Sequence, residues 1–422
     1  MTTAEQKESA SLPVETVTLD SGVRVIAEVD RRGYSAAMGF FVATGSRHET
    51  DPESGLSHFL EHMMFKGTAR RSAADVNREL DELGGNSNAY TSEEQTVYYA
   101  SVLPKFQHRM VDLLSDMLTP SLREEDFEVE RKVILEEIAK YEDQPPFGAF
   151  ERSMELRFGP RGLGRRILVT TESITSMTAD AMRSYFRRRY TPENVVFAAT
   201  GNIDVDALIR QLSDATAGWS DRRDAPSPPP DDTAMVPAGI DLSPSLTVPD
   251  LSQGYHVAVG SGPDSHASDR EATAALASVM GDEGGSRLFW ELIDTGRAEV
   301  ATVWPQDFVG DGCFFTYLVG DPDDAESNLR LIDGVRQRLI DDGVDGDELE
   351  QVVRRGVASL VMRSERPGNR LFELGSRYLT HGDRRTLDDR IETLRALTTD
   401  DLGAAARRYL TDDRVEVCVE PR

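Results

Sequence analysis

Two histidines and a glutamate lie close together in the chain, at His58, Glu61 and His62. On an α-helix, residues three and four positions apart share a face, so these three side chains would converge. Imidazole nitrogens suit Zn²⁺, whose catalytic sites combine three protein ligands with a water molecule. Glu61 lies on the same face and is suited to take a proton from that water. The order H-x-x-E-H therefore indicates a hydrolytic metal centre, although an amphipathic helix with two surface histidines has the same spacing.

A zinc site with two histidines needs a third ligand, and a carboxylate is the missing type. No other histidine or cysteine stands out as well placed. A long helix is predicted over residues 124–142, and many of its acids are expected to form a solvated face. Physical reasoning alone leaves five candidate ligands on this helix, which are Glu128, Glu130, Glu136, Glu137 and Glu142.

The elements that must position these residues can be predicted from hydrophobic patterns and turn residues. A hairpin is expected over 16–27 and a buried strand over 36–43. Ser72 is a suitable N-cap for a helix over 72–83, which Gly84 and Gly85 end. The strand predicted at 96–102 could lend its edge to a bound peptide or lie inside a sheet, and the sequence leaves both open.

Composition excludes several classes of protein. The net charge of −27 argues against a nucleic-acid partner, because phosphate binding needs a basic surface. Residues 1–14 are polar and are expected to be a flexible N-terminus without the apolar core of a signal peptide. No apolar run reaches the ~18 residues of a membrane helix. The two cysteines provide no disulfide framework, so we expect a cytoplasmic protein without a membrane partner.

The chain is predicted to contain two similar domains, at residues 15–215 and 238–422. Residues 216–237 are rich in proline, serine and charge, which is typical of a linker. The threonine-capped helix, Arg-Arg-Tyr end and strand of 178–201 recur at 398–419. This repeat predicts two α+β domains, and only the first contains H-x-x-E-H.

Three stretches resemble the pitrilysin/insulinase (M16) family of zinc peptidases, especially its two-domain bacterial members and the mitochondrial processing peptidase. They are residues 55–68 around the histidines, 84–96 with Asn-Ala-Tyr-Thr, and 130–138 with Glu-Arg-Lys-Val-Ile-Leu-Glu-Glu-Ile. The resemblance implies two homologous domains, each a mainly antiparallel sheet packed with helices, arranged as a clamshell. It also implies peptide substrates and a dimer of identical or related chains.

The resemblance assigns further roles to residues of this chain. It selects Glu137 as the third ligand of one Zn²⁺ per chain, and Glu130 as a carboxylate that supports a ligand histidine. Residues 130 and 137 are two helical turns apart and so share a face. Asn88 and Ala89 match the strand that pairs with the substrate backbone.

The second domain departs from the family pattern. Many active relatives have an arginine and a tyrosine there that reach the catalytic site, but Ile293 and Glu299 stand at the matching positions. Arg297 could replace the arginine from a shifted position. The leading hypothesis is an active zinc endopeptidase. The alternatives are a non-catalytic partner subunit of a heterodimer, and a metal-binding or peptide-binding module without turnover.

Overall fold

The computed structural model describes residues 12–142, 145–168, 170–221, 243–248 and 251–421. Its first half is built on a sheet with the strand order β1-β2-β6-β3-β5-β4, in which only β2 and β6 pair in parallel. The strands are β1 Val14–Thr18, β2 Arg24–Val29, β3 Ala36–Val42, β4 Asn86–Thr91, β5 Thr96–Val102 and β6 Val195–Gly201. The predicted hairpin is therefore present as β1 and β2.

The second half contains a sheet with the order β7-β11-β8-β10-β9, in which β7 and β11 pair in parallel and the other neighbours are antiparallel. Its strands are β7 Ser245–Val248, β8 Gly254–Ser261, β9 Val300–Phe308, β10 Asp311–Gly320 and β11 Arg414–Pro421. This order matches that of the first sheet from β2 to β4. The predicted α+β class with two similar, mainly antiparallel halves is confirmed.

Helices cover both faces of each sheet. They are α1 Leu56–Met63, α2 Ala73–Glu82, α3 Gln107–Met117, α4 Glu124–Glu142, α5 Pro145–Phe158, α6 Thr171–Ser176, α7 Ala179–Arg189, α8 Val205–Thr216, α9 Arg270–Gly281, α10 Ala325–Asp341, α11 Gly346–Ser364, α12 Pro367–His381, α13 Leu387–Arg395 and α14 Thr399–Tyr409, with a π-helical turn at Phe289–Ile293. Ser72 caps α2 by accepting a hydrogen bond from the Asp75 amide, as its sequence predicts.

The two halves exchange one helix each. Helix α5 of the first half packs on β8 and β11 of the second sheet, and α12 of the second half packs on β3 and β6 of the first. A Cβ at Gly375 would lie 2.4 Å from the Phe41 ring, so only glycine permits this approach of α12 to the sheet. Arg370 of α12 forms a buried bidentate ion pair with Glu28 of β2, at 2.9 and 2.6 Å. Each half therefore completes the core of the other.

The predicted domain boundaries lie partly outside the residues that the structure describes. Thr216 ends α8, and a 3-10 helix follows at Ala217–Asp221, where buried Trp219 packs against Phe40 of the first sheet. The rest of the predicted linker, 222–237, lies outside the described residues, as do residues 1–11 of the predicted flexible N-terminus. The predicted domain limits therefore stay predictions.

Candidate metal centre and substrate cavity

Helix α1 presents His58, Glu61 and His62 on one side because its apolar side chains occupy the other. Leu56, Phe59, Leu60 and Met63 are buried in the core beneath the helix; burial of this stripe orients α1. The helix begins after Gly55, whose φ of 94° lies in the left-handed region.

A buried carboxylate holds the start of α1. Glu49 accepts hydrogen bonds from the Gly55 and Ser57 amides, at 2.6 and 2.7 Å. The burial of Glu49 raises its pKa to about 7, although both amide bonds favour the charged form. These bonds satisfy amides at the N-terminus of α1, which have no partner within the helix.

Helix α4 brings two carboxylates to the histidines. Glu130 Oε1 accepts a hydrogen bond from His62 Nδ1 at 2.9 Å, and its other oxygen lies 2.5 Å from Lys66 Nζ. Glu137 Oε2 lies 3.6 Å from His62 Nε2 and 3.8 Å from His58 Nε2. Of the five acids that the sequence left open, the structure thus places Glu130 and Glu137 at the histidines.

The three candidate ligand atoms have the spacing of a zinc site. The two Nε2 atoms of His58 and His62 are 3.3 Å apart, and the Glu137 oxygen lies slightly farther from each. Tetrahedral zinc with bonds of ~2.0–2.1 Å places its ligand atoms ~3.3–3.4 Å from one another. His58, His62 and Glu137 are the one group of this kind in the described part of the chain. The residues present therefore fit a zinc ion with little rearrangement.

The protonation of the histidines also suits metal binding. Burial and the neighbouring His62 lower the pKa of His58 to about 3, so its ring stays neutral with a lone pair available. Burial lowers the pKa of His62, but Glu130, Glu137 and Glu61 outweigh it and raise the value. In the neutral ring that binds a metal, Nε2 carries the lone pair toward Glu137, because Nδ1 donates to Glu130. Burial alone would raise the pKa of Glu130, but its bonds with His62 and Lys66 lower the value and keep it charged.

Glu61 projects beside this cluster and is held by Thr91 of β4. The Thr91 hydroxyl donates a hydrogen bond of 2.6 Å to Glu61 Oε2. Burial raises the pKa of Glu61, with a further increase from Glu137, while Thr91 and His62 oppose the shift. No role for Thr91 follows from its sequence position, except that it belongs to the Asn-Ala-Tyr-Thr segment.

Strand β4 is one of the two edge strands of the first sheet among the described residues, the other being β1. The strand at 96–102, for which both an edge and an interior position were open, is β5 and lies between β3 and β4. Asn88 and Ala89 are both in β4; Asn88 is exposed and Ala89 is buried. The Ala89 amide donates to Asn88 Oδ1 at 2.9 Å, so a side chain rather than a sheet partner accepts this hydrogen bond.

A cavity of about 810 Å³ separates the two halves beside the cluster. From the first half it is lined by His58, Glu61, Glu137 and the β4 residues Ala89 and Thr91. From the second half it is lined by side chains of four strands, which are Leu246, Val248, Trp304, Gln306, Phe315 and Val419. This volume lies within the range of ~300–1,000 Å³ that is typical of ligand sites.

The second-domain positions that the resemblance singled out do not reach the cavity. Ile293 packs partly buried against the second core, and Glu299 is exposed and accepts a hydrogen bond from Gln253. Arg297 donates to Asn328 at 3.1 Å and to Ser327 at 2.7 Å. The suggestion that Arg297 replaces the missing arginine is therefore wrong in this conformation, because α10 holds its guanidinium.

The fold and the helix α1 together define a two-domain α+β protein whose candidate metal centre has the order H-x-x-E-H. The chain belongs to peptidase family M16. The family model for insulinase (peptidase family M16) matches residues 24–171, and the model for the peptidase M16 inactive domain matches residues 176–355.

Several known proteins are similar over nearly the whole chain. An uncharacterized zinc protease of Streptomyces coelicolor is 33% identical, covering 94% of this chain and 87% of that protein. Another from Bacillus subtilis is 30% identical, covering 97% and 98%. A probable mitochondrial-processing peptidase subunit beta of Arabidopsis thaliana is 37% identical over 196 residues, covering 46% of this chain and 37% of that protein.

Solved structures show the same fold at lower identity. A protease from Helicobacter pylori superposes with a TM-score of 0.87 and 20% identity, covering 97% of this chain and 100% of that one. A putative M16-like peptidase from Alicyclobacillus acidocaldarius gives a TM-score of 0.83 and 20% identity, covering 97% and 99%. Within the described ranges, no helix is long and apolar enough to cross a membrane.

Proposed function

We propose that this protein is a zinc endopeptidase that hydrolyses peptides or unfolded polypeptide segments. The observation that carries the proposal is the convergence of His58, His62 and Glu137 within 4.8 Å, with Glu61 beside them in one cavity. The names of the full-length relatives, which call them zinc proteases, support the choice of metal and reaction.

One Zn²⁺ per chain would be held by His58, His62 and Glu137. When bound there, zinc supplies a Lewis acid for the scissile carbonyl and a water molecule of lowered pKa. Glu61 accepts the proton of that water at its carboxylate and returns it to the leaving amine. Its raised pKa favours holding a proton between these steps, and the Thr91 hydroxyl keeps the carboxylate in place.

The substrate backbone would pair with β4. An extended peptide can add to a free sheet edge through main-chain hydrogen bonds, and β4 is the edge strand beside Glu61. A substrate carbonyl would replace Asn88 Oδ1 as the acceptor for the Ala89 amide. Asn88 and Ala89 are therefore our proposed substrate-binding residues, and Glu130 orients His62.

A non-catalytic partner subunit is the alternative function. It is favoured by the positions of Ile293 and Glu299, neither of which supplies the arginine or tyrosine of the family pattern. Against it, His58, Glu61, His62, Glu130 and Glu137 are all present and are arranged for metal binding.

We also propose a dimer of two identical or two related chains. Helix α11 has 19 residues and none is buried, and its Val361 and Met362 are 38% and 62% exposed. A partner chain that packs on α11 would cover these two adjacent apolar side chains. Light scattering at several concentrations tests for self-association.

We propose a location in the cytoplasm, which cell fractionation tests.

The central test compares wild-type protein with Glu61→Gln. Both should bind one zinc by elemental analysis, whereas cleavage of a quenched peptide should fall by about 10²–10⁴-fold in the variant. If zinc-loaded wild-type protein, alone or mixed with a related chain from the same genome, shows no cleavage that depends on Glu61, the endopeptidase proposal fails.

A further inference from the structure

The cavity beside the metal cluster also has an apolar wall, most of which comes from the second half. We define the apolar wall as Phe150 of α5 with Leu246, Val248, Trp304, Phe315 and Val419. Trp304 stacks on Phe315 with ring centroids 5.2 Å apart and an angle of 9°, and Phe150 packs against both rings. These contacts hold the Trp304 ring in a fixed orientation.

The wall retains surface that a ligand can cover. Leu246 is 36% exposed and Trp304 is only partly buried, although both are large apolar side chains that line the cavity. Apolar surface in contact with water is unfavourable, so a bound apolar side chain gains free energy by covering it. Rigid aromatic rings lose little entropy on binding, which makes Trp304 an effective contact residue.

A comparison of the exchanged helices explains why space remains here. Pro145, Phe150 and Glu151 of α5 recur with the same spacing as Pro367, Phe372 and Glu373 of α12. In this alignment Gly148 corresponds to Arg370. The Arg370 side chain occupies the space between α12 and the first sheet, where its guanidinium pairs with Glu28. A Cβ at Gly148 would meet no atom within 4 Å, and Gly148 lines the cavity. The missing side chain at Gly148 therefore leaves space in the cavity beside the second sheet.

We propose that the apolar wall binds a large apolar or aromatic side chain of the peptide that is cut at the His58–His62 cluster, with Trp304 as a specificity-determining residue. This inference rests on the proposed function and adds a substrate class to it. The second half then contributes to substrate selection through Trp304 of β9 and Phe315 of β10, which line the cavity. Ile293 and Glu299 do not line it.

The first experiment reads cleavage sites in an unfolded protein by mass spectrometry. Zinc-loaded wild-type protein should cut with large apolar residues enriched by about 10-fold or more at one fixed position relative to the cut bond. Trp304→Ala should lose this enrichment while it still cuts at other sites. Trp290→Ala is the matched control, because Trp290 is a tryptophan of the same half that is 57% exposed and does not line the cavity.

A second variant avoids damage to the core that Trp304 helps to form. Gly148→Leu adds a side chain into open space within a helix and removes a helical glycine, so the zinc content should stay at the wild-type value and the melting temperature should not fall. The leucine would occupy the volume in front of the wall. KM for a peptide with phenylalanine at the preferred position should rise by about 10-fold, and KM for its serine counterpart should change much less.

The third measurement does not depend on turnover. Glu61→Gln protein should bind the phenylalanine peptide about 10-fold more tightly than the serine peptide by fluorescence anisotropy, and the added Trp304→Ala change should remove the difference. Equal affinities of the Glu61→Gln protein for the two peptides would overturn the inference. So would a preference for the phenylalanine peptide that remains after Trp304→Ala. If wild-type protein cleaves peptides without any apolar preference, the inference fails while the endopeptidase proposal stands. If cleavage is absent but the affinity difference is present, the proposed function fails and the subsite stands.

Discussion

Two pairs of histidines lie ring against ring in this protein, one pair in each half. His58 and His62 have ring centroids 4.7 Å apart at an angle of 72°, and His266 and His381 have centroids 5.3 Å apart at 86°. The first pair faces the carboxylate of Glu137, whereas the Arg270 guanidinium lies 3.1 Å from His381 Nε2. Burial and the nearby Arg270 lower the pKa of His381 to about 4.

The difference shows that the geometry of two imidazoles does not by itself make a metal site. An acid lies near each pair, because Asp307 Oδ2 is 3.8 Å from His381 Nε2, but Arg270 pairs with Asp307 at 3.3 Å and so offsets its charge. In the second half a protein cation already occupies the position next to the ring nitrogen. The Arg270 cation beside His381 therefore separates this structural contact from the candidate metal centre, where the third group is the Glu137 carboxylate.

The strongest test of this comparison removes one histidine from each pair. His62→Ala should lose zinc and peptide cleavage, with metal affinity down by more than about 100-fold, because a direct ligand is deleted. His381→Ala should keep one zinc per chain by elemental analysis. The comparison is wrong if His381→Ala loses the metal, or if His62→Ala still binds one zinc with wild-type affinity.

The exchanged helices offer a second test, on stability. Arg370→Met should destabilise the protein by about 3–5 kcal/mol, since Glu28 would remain buried without its partner. Gly148→Ala, at the corresponding position of α5, should stabilise by about 0.5–1 kcal/mol because it removes a glycine from a helix without a clash. Thermal and urea unfolding measure both changes. Equal effects would show that the two helices are not packed as described.

A smaller effect on zinc binding is expected when Glu130, which supports the ligand His62, is replaced. Glu130→Gln should weaken zinc binding by about 10–100-fold, because a neutral amide is a poorer acceptor for His62 Nδ1. Glu128→Gln is the control on the same helix, since the Glu128 side chain is 50% exposed and pairs with Arg131 rather than with a histidine. Competition with a chelator reports both affinities. Equal zinc affinity in the two variants would contradict the role of Glu130.

The smallest predicted effect concerns a titrating pair in the second half. His256 Nε2 lies 3.5 Å from Glu416 Oε2. Burial opposes the charge on His256, but Cys418 and Glu416 outweigh it and raise the pKa of His256 to about 9. The bond with His256 and the nearby Arg414 lower the pKa of Glu416 to about 2.

The direction of the pH effect follows from these values. The raised pKa of His256 stabilises the fold fully below pH 6.5, and this contribution is lost as the pH rises to about 9. The lowered pKa of Glu416 stabilises the fold above pH 4.5, and this is lost as the pH falls to about 2. His256→Gln should reduce the loss of stability between pH 6.5 and 9 by about 1 kcal/mol, allowing for solvent around Glu416. A melting curve whose pH dependence is unchanged in the variant would exclude this pair as its source.

Much of the candidate site could be predicted from local sequence. The i, i+3 and i+4 spacing of His58, Glu61 and His62 is a property of one helix, and so is the two-turn spacing of Glu130 and Glu137. The choice of Glu137 among five acids required the resemblance to a family. The repeated halves were also predictable, because each repeat has its own hydrophobic pattern.

Other features depend on residues that are far apart in the chain. Nothing in the sequence near Thr91 indicates that its hydroxyl contacts Glu61, and the position of β4 at the sheet edge follows from pairing across the whole first half. The resemblance suggested a catalytic place for Arg297, yet α10 binds its guanidinium. The cavity itself is lined by α5 of the first half together with strands of the second sheet.

The amino-acid sequence alone determined which side chains could hold a metal and activate water, because helical periodicity is local. Only the tertiary structure decided which groups surround them. It placed Glu137 beside one histidine pair and Arg270 beside the other, and it brought Trp304 to the wall of the cavity that Glu61 also lines. Such contacts depend on how separate elements pack, and packing is a property of the whole chain.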